Sequence, residues 1–295
     1  MENFDLHIHS TCSDGEKSVS EILEYAEGNN FEFISITDHD NIDCIDEIRK
    51  NNLGKVKCIP GVELSVSYKE YDIHVLYYGF KKTKELKKII DYQQKVRIHK
   101  TENYIKQLKL KYNIEFPKDQ VNEILAKKNV GKNDIARLLV NNGFVSDRKE
   151  GFDKYIIKLI PSDMKKIDFD TVVKMAKKEN GILILAHPYE ILKEYSLEIK
   201  ELYKIMDELI ENGCDGIEAF HSNCTLKECN TLYEYALNKG VLTSAGSDFH
   251  RNEQKPNDGI GFLYNTISKK YKKIDKEKIN FLKKVVDDEL WINLL

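Results

Sequence analysis

Phe4-Asp5-Leu6-His7-Ile8-His9-Ser10-Thr11-Cys12-Ser13-Asp14-Gly15 opens the chain with a strand candidate, Asp5 to His9, followed by a turn. His7 and His9 stand two apart, so on a strand both imidazoles leave the same face and converge on one point. Asp14 follows before Gly15, where a plain turn residue is the competing reading. The same spacing returns in Asp248-Phe249-His250, just after another strand candidate. Working outward, His39 in Thr37-Asp38-His39-Asp40, Glu63 in Gly61-Val62-Glu63 and His187 in Leu185-Ala186-His187-Pro188 each close a β-branched run. Where parallel strands alternate with helices, the carboxyl ends of the strands share one face, and functional groups collect there.

Seven strand candidates carry this pattern: Asp5 to His9, Phe33 to Thr37, Val56 to Leu64, Ile73 to Gly79, Ile182 to His187, Gly216 to Phe220 and Val241 to Gly246. Between them Val19 to Glu27, Thr171 to Lys178 and Leu202 to Glu211 space apolar residues by three and four, which predicts helices outside the strands. The fold class is therefore α/β. His74 is the exception among the histidines, because it opens its run. It requires either a reversed strand or a position lining the interior.

From Lys81 to Lys166 only helical periodicity is present, which predicts a helical insertion in a domain formed by 1–80 and 167–295. The insertion holds 22 Lys plus Arg and 11 Asp plus Glu, a charge of +11 against −14 for the remainder. A basic insertion beside an acidic domain suggests an anionic substrate held and covered between them; a solvated lysine-rich face is the bland alternative.

The whole chain of 295 residues has a net charge of −3, so no global basic field binds nucleic acid. No apolar run approaches the roughly 18 residues of a membrane span. No secretory signal is visible after Met1, which makes the cytoplasm the expected location. Six scattered cysteines without a Cys-x-x-Cys pair read as reduced thiols.

Imidazole with carboxylate suits Zn, Fe or Mn, whereas Mg and Ca prefer oxygen alone. His7, His9, Asp14, His39, Glu63, His74, His187, Asp248 and His250 exceed what one tetrahedral ion uses, so two or three ions are expected. Singly, each residue has an ordinary explanation, such as a hydrogen-bonded strand histidine for His74. Together, their gathering at successive strand ends is not explained by unrelated core histidines.

These motifs, taken in order through Gly246-Ser247-Asp248-Phe249-His250, resemble the PHP family, named for polymerase and histidinol phosphatase. The resemblance implies a distorted (β/α)7 barrel with up to three ions. Carried over position by position, it implies that His7, His9, Glu63 and Asp248 hold the first. Glu63, His74 and His187 hold the second, and Asp14, His39 and His250 the third, with Glu63 bridging the first two. Within the family, the insertion and Gly216-Ile217-Glu218 resemble stand-alone members that dephosphorylate nucleoside 3',5'-bisphosphates, some of which trim RNA from the 5' end. Those typically show Gly-Arg-Pro-His-Ile-Ala-Arg. Here the run is Gly131-Lys132-Asn133-Asp134-Ile135-Ala136-Arg137, with Asp134 in place of the histidine.

The expected activity is hydrolysis of phosphate esters by a hydroxide bridging the ions, with Lys132 and Arg137 binding phosphate. Asn133 or Asp134 is expected to cap a helix, leaving Lys132 in the loop before it. The expected partner is a small phosphorylated substrate, a nucleotide or a short oligonucleotide, with no membrane and no obligate protein partner. Amide or lactone hydrolysis on the same ions, and a non-catalytic metal- or nucleic-acid-binding module, are the alternatives. His221 is a candidate to protonate a leaving group, against a loop histidine. Asp38 and Asp40 are candidates to orient imidazoles, or else helix-start residues. Cys12 reads as a spectator thiol.

Overall fold

The computed structural model describes residues 3–51, 54–160, 162–251 and 276–292. Two compact units divide the chain, Met1–Leu86 with Asp168–Leu295, and Lys87–Ile167.

The first unit is mixed α/β. A three-stranded parallel sheet runs β1 (Asn3–Ile8), β2 (Phe31–Ile36), β3 (Lys57–Cys58). In the second sheet, β4 (Gly61–Tyr68), β5 (Tyr71–Tyr78), β6 (Ile167–Asp168), β7 (Ile182–Leu185), β8 (Gly216–His221) and β9 (Leu242–Gly246) lie in the order β6-β4-β5-β7-β8-β9. The run expected as one strand from Val56 to Leu64 is broken at Pro60, which has no N–H for a ladder. β5 pairs antiparallel with both β4 and β7, so the strand carrying His74 is reversed, while β7, β8 and β9 are parallel.

Among the described residues, strand pairing does not join the two ladders into one continuous barrel. Their edges nevertheless exchange bonds. The Asp248 N–H donates to the His7 carbonyl and the His9 N–H to the Phe249 carbonyl, both at 2.9 Å; the Glu63 N–H donates to the Thr37 carbonyl at 3.1 Å.

Helices α1 (Val19–Gly28), α2 (Cys44–Asn51), α7 (Phe169–Glu179), α8 (Pro188–Glu194), α9 (Ile199–Asn212), α10 (Leu226–Lys239) and α11 (Asn280–Asp287) belong to this unit. α1 shows why such segments fold as helices. Ser18 and Glu21 form a reciprocal capping box, and the spaced Val19, Ile22, Leu23 and Ala26 are buried. Its larger apolar side chains contribute about 1.5–3 kcal/mol each by leaving water.

The second unit contains most of α3 (Lys84–Tyr112), with α4 (Lys118–Leu125), α5 (Lys132–Asn141) and α6 (Arg148–Lys154). It has its own core, in which Leu108, Ile135, Ala136 and Leu139 are buried together. No described helix in either unit is long and apolar enough to cross a membrane.

β1 sends Phe4, Leu6 and Ile8 to one side and Asp5, His7 and His9 to the other, and all six are buried. An interior face this polar folds only if each group finds a partner. Close approach of β9 to β1 is part of the answer: a Cβ at Gly246 would stand 2.1 Å from the His7 Cβ. Gly246→Ala is therefore expected to cost about 1–3 kcal/mol, the usual range for overpacking. Thermal or denaturant unfolding checks it, and an unchanged midpoint would contradict the strand approach.

Candidate metal centre

His7 and His9 leave β1 and its end on one face, and Glu63 projects from β4 toward them. Its Oε2 lies 3.3 Å from His7 Nε2, 3.2 Å from His9 Nε2 and 2.9 Å from His39 Nδ1. In the β4–β5 ladder Glu63 faces Leu76 and Ser65 faces His74, so His74 is the diagonal neighbour of Glu63 on one face. Its Nδ1 reaches Glu63 Oε1 at 2.8 Å, and His187 Nε2 reaches the same oxygen at 2.9 Å. Asp248 completes the first group, its Oδ1 lying 3.4 Å from His7 Nε2 and 3.0 Å from His9 Nε2. On the far side of His9, His250 Nε2 stands 3.3 Å from Asp14 Oδ1, and the His9 and His250 rings stack at 4.0 Å.

These donors fit metal ions. One atom each from His7, His9, Glu63 and Asp248 lies within 4.8 Å of the others, and the same holds for His9, Asp14, His39 and His250 and for His39, Glu63 and His74. In the first group the contacts given above, with 3.1 Å between the two histidine Nε2 atoms, span 3.0–3.4 Å. Four tetrahedral donors about 2.0–2.2 Å from one ion stand about 3.3–3.6 Å apart, close to these edges. Buried His9 Nδ1, His39 Nδ1, His187 Nδ1 and Glu63 Oε2 lack a partner in hydrogen-bonding geometry. Donors that crowd at short range without bonding angles are aimed at a common point rather than at one another.

Electrostatics agrees. Burial pushes the Glu63 carboxyl up, but His39, His74 and His7 outweigh it and hold it well below the ordinary range. Asp14 and Asp248 are likewise held low against burial, chiefly by His250. The imidazoles move the other way. Burial lowers His187 and His250, yet Glu190 and Glu63 bring the first to about 9, and Asp248 and Asp14 bring the second to about 10.

A PHP domain model matches residues 5–211. The chain belongs to the PHP family. It is 30% identical over 253 residues to a 5'-3' exoribonuclease of Haemophilus influenzae, covering 84% of this chain and 90% of that protein. It is 23% identical over 258 residues to a 3',5'-nucleoside bisphosphate phosphatase of Chromobacterium violaceum, covering 85% and 88%. In fold it is similar to the crystal structure of a protein assigned as a metal-dependent phosphoesterase from Bifidobacterium adolescentis. That match has a TM-score of 0.79 at 20% identity, covering 99% of this chain and 98% of the other.

Other residues of this PHP chain take places the sequence did not indicate. Asp38 accepts from the Ser10 N–H, the Ser10 hydroxyl and the Ser13 hydroxyl, and Asp40 accepts from the Ser65 N–H. These bonds tie both carboxylates to neighbouring loops and strands. His221 is buried, with Nε2 3.4 Å from Asp248 Oδ2, and its Nδ1 accepts the Asn223 N–H. That backbone donor places the neutral ring's proton on Nε2, facing the rim.

Burial and then Asp38 push the Cys12 thiol up to about 11, which leaves it a poor nucleophile. Gly131, not Asn133 or Asp134, caps α5, because Asp134 at the third helical position accepts the Gly131 N–H. Lys132 is therefore the first helical residue, its ammonium 6.0 Å from the Tyr104 ring, and Arg137 lies 3.7 Å from Asp134. Glu218 and Glu190 also border the cluster; neither has a role in the site on sequence grounds, although Glu218 lies in the Gly216-Ile217-Glu218 run that carries the narrower resemblance, and Glu190 stands in the first turn of α8.

Histidines held in their protonated form must give up protons to bind ions. Without ions, the support that protonated His187 and His250 lend to the buried carboxylates is present at neutral pH and lost as pH rises through about 9 to 10. Adding Mn or Zn to metal-free protein at pH 7 in weak buffer is expected to release protons, fewer as the starting pH nears 10. Calorimetry in two buffers of different ionisation enthalpy measures this, and uptake without proton release would contradict the electrostatics.

Proposed function

We propose that this chain, a metal-dependent phosphoesterase of the PHP family, acts on nucleotides. Its substrates are nucleoside 3',5'-bisphosphates or short 5'-phosphorylated oligonucleotides, in keeping with relatives named as a 3',5'-nucleoside bisphosphate phosphatase and a 5'-3' exoribonuclease. The observation that carries the reading is the division of Glu63. Oε2 faces His7, His9 and His39, whereas Oε1 faces His74 and His187, so one buried carboxylate serves two donor groups. In this reading His7, His9, Glu63 and Asp248 hold one ion; Glu63, His74 and His187 hold a second; Asp14, His39 and His250 hold a third. Mn, Zn or Fe suits the donors. When bound, the ions supply Lewis acidity to phosphoryl oxygens and ionise water near neutral pH.

The chain supplies the rest. Glu63 keeps negative charge between the two donor groups and sets their separation. His221 points its Nε2 proton toward the rim, which suits it to hold a substrate oxygen as a hydrogen-bond donor. Lys132 and Arg137 bind phosphate, Arg137 by its forked guanidinium and Lys132 as a point charge. In the same reading the two sheets, joined at their edges by the bonds beside Glu63 and Asp248, form a distorted (β/α)7 barrel.

The test is phosphate release from a panel of phosphomonoesters, bisphosphates, 5'-phosphorylated oligonucleotides and amide or lactone substrates after loading with Mn, Zn or Fe. Release from bisphosphates or oligonucleotides supports the reading, and hydrolysis of amides or lactones alone overturns it. Glu63→Gln removes a charge between cations and is expected to lower metal content and reduce turnover by orders of magnitude. Unchanged turnover at unchanged metal content would exclude the bridging role. Arg137→Ala is expected to raise KM, with kcat/KM lower by roughly tenfold to a hundredfold for loss of a charged hydrogen bond of about 1.5–3 kcal/mol. Its metal content should stay at the wild-type level. Near-wild-type kinetics on both a bisphosphate and a monoester would reduce the insertion to a solvated lysine-rich face.

A further inference from the structure

Glu218 lies in β8 with its side chain fully buried, and its two oxygens reach two rim residues from behind. Oε1 is 3.0 Å from His7 Nδ1, and Oε2 accepts the His187 backbone N–H at 2.9 Å. In a regular strand Glu218 and His221, three positions apart, would face opposite ways. The β8–β9 register slips between Glu218 and Phe220, however, and atoms of His7, Glu218 and His221 gather within 4.8 Å. A bulge of this kind re-aims side chains at a functional site.

We propose that Glu218 is a positioning residue that sets two rim histidines at once, a role that rests on reading His7 and His187 as metal ligands. A carboxylate only accepts hydrogen bonds. Glu218 therefore fixes the His7 proton on Nδ1 and leaves the Nε2 lone pair facing His9, Glu63 and Asp248. At His187 it secures a backbone at φ 29°, ψ 61°, a region sparsely used by residues with a side chain. That turn aims the His187 ring at Glu63 Oε1, so a single carboxylate in β8 ties together ligands from both sides of Glu63.

Glu218→Gln offers one acceptor and one amide donor in place of two acceptors. Turned one way, its NH2 opposes the His187 N–H; turned the other, it reverses the His7 tautomer and blocks Nε2. The expected result is Zn or Mn affinity 10–100-fold weaker than wild type, measured by chelator competition. A merely structural role would lower the unfolding midpoint and leave the affinity of the folded protein unchanged, and that outcome overturns the proposal. Nitrogen-15 NMR of histidine-labelled wild-type protein loaded with zinc decides independently of whether the variant folds. A proton on His7 Nδ1 with Nε2 bare supports the role, and the reverse overturns it. Wild-type protein that takes up neither ion overturns the ligand reading, and this proposal with it; normal wild-type uptake with unaltered Glu218→Gln affinity overturns this proposal alone.

Discussion

Glu63 is a fully buried carboxylate with five imidazoles within 3.3 Å, and the first unit is arranged around that burden. A charge withdrawn from water is tolerated only when paired and hydrogen-bonded, and removing one partner leaves the other exposed to the full penalty. The surrounding strands therefore cannot be ordinary apolar staves. Their outward faces are packed with Phe, Leu, Ile and Val, while their inward faces carry groups that must be matched one by one. Asp5 and Asp38 extend the same logic away from the rim. Asp5 accepts from the Ser247 N–H and hydroxyl, and Asp38 from Ser10 and Ser13, so each holds a loop next to a proposed ligand.

Much of this was legible because it depends on short spacings. His7 with His9 needs only a period of two, and the helices α1, α7 and α9 need only apolar residues three and four apart. What the sequence left open or missed depends on how strands pair and in which register. The β4–β5 hairpin that reverses the strand of His74 turns through Lys69 and Glu70, with Lys69 at φ 53°, and lacks the Asn-Gly or Asp-Gly signal that makes such turns readable. The Glu218 contact requires a register slip, which no local pattern encodes. Asp38 and Asp40 flank His39 in the chain, and only the fold shows that they also accept from serine hydroxyls and backbone N–H groups.

The second unit shows a different balance. Its helices carry many charged residues, and its packing rests mainly on apolar clusters of its own. Asp134 shows how a departure from a family pattern is absorbed locally. Where the resemblance implies a histidine, this aspartate accepts the Gly131 N–H and pairs with Lys127 at 2.7 Å, completing the helix start. The change leaves Arg137 in place on the following turn.

The contact of Asp5 with Ser247 joins residues 242 positions apart in the chain, and β1 bonds the segment after β9 through His7 and Asp248 across a similar span. Contacts of such long range impose a loop-closure cost and come late in folding. During synthesis His7 and His9 emerge long before Asp248, the last member of the donor group proposed for them. In the proposed reading the nascent chain holds only a partial, weak binding site until the segment after β9 is released. On the same reading, selection among competing metals is deferred to the finished fold, because a complete donor set discriminates better than a histidine pair.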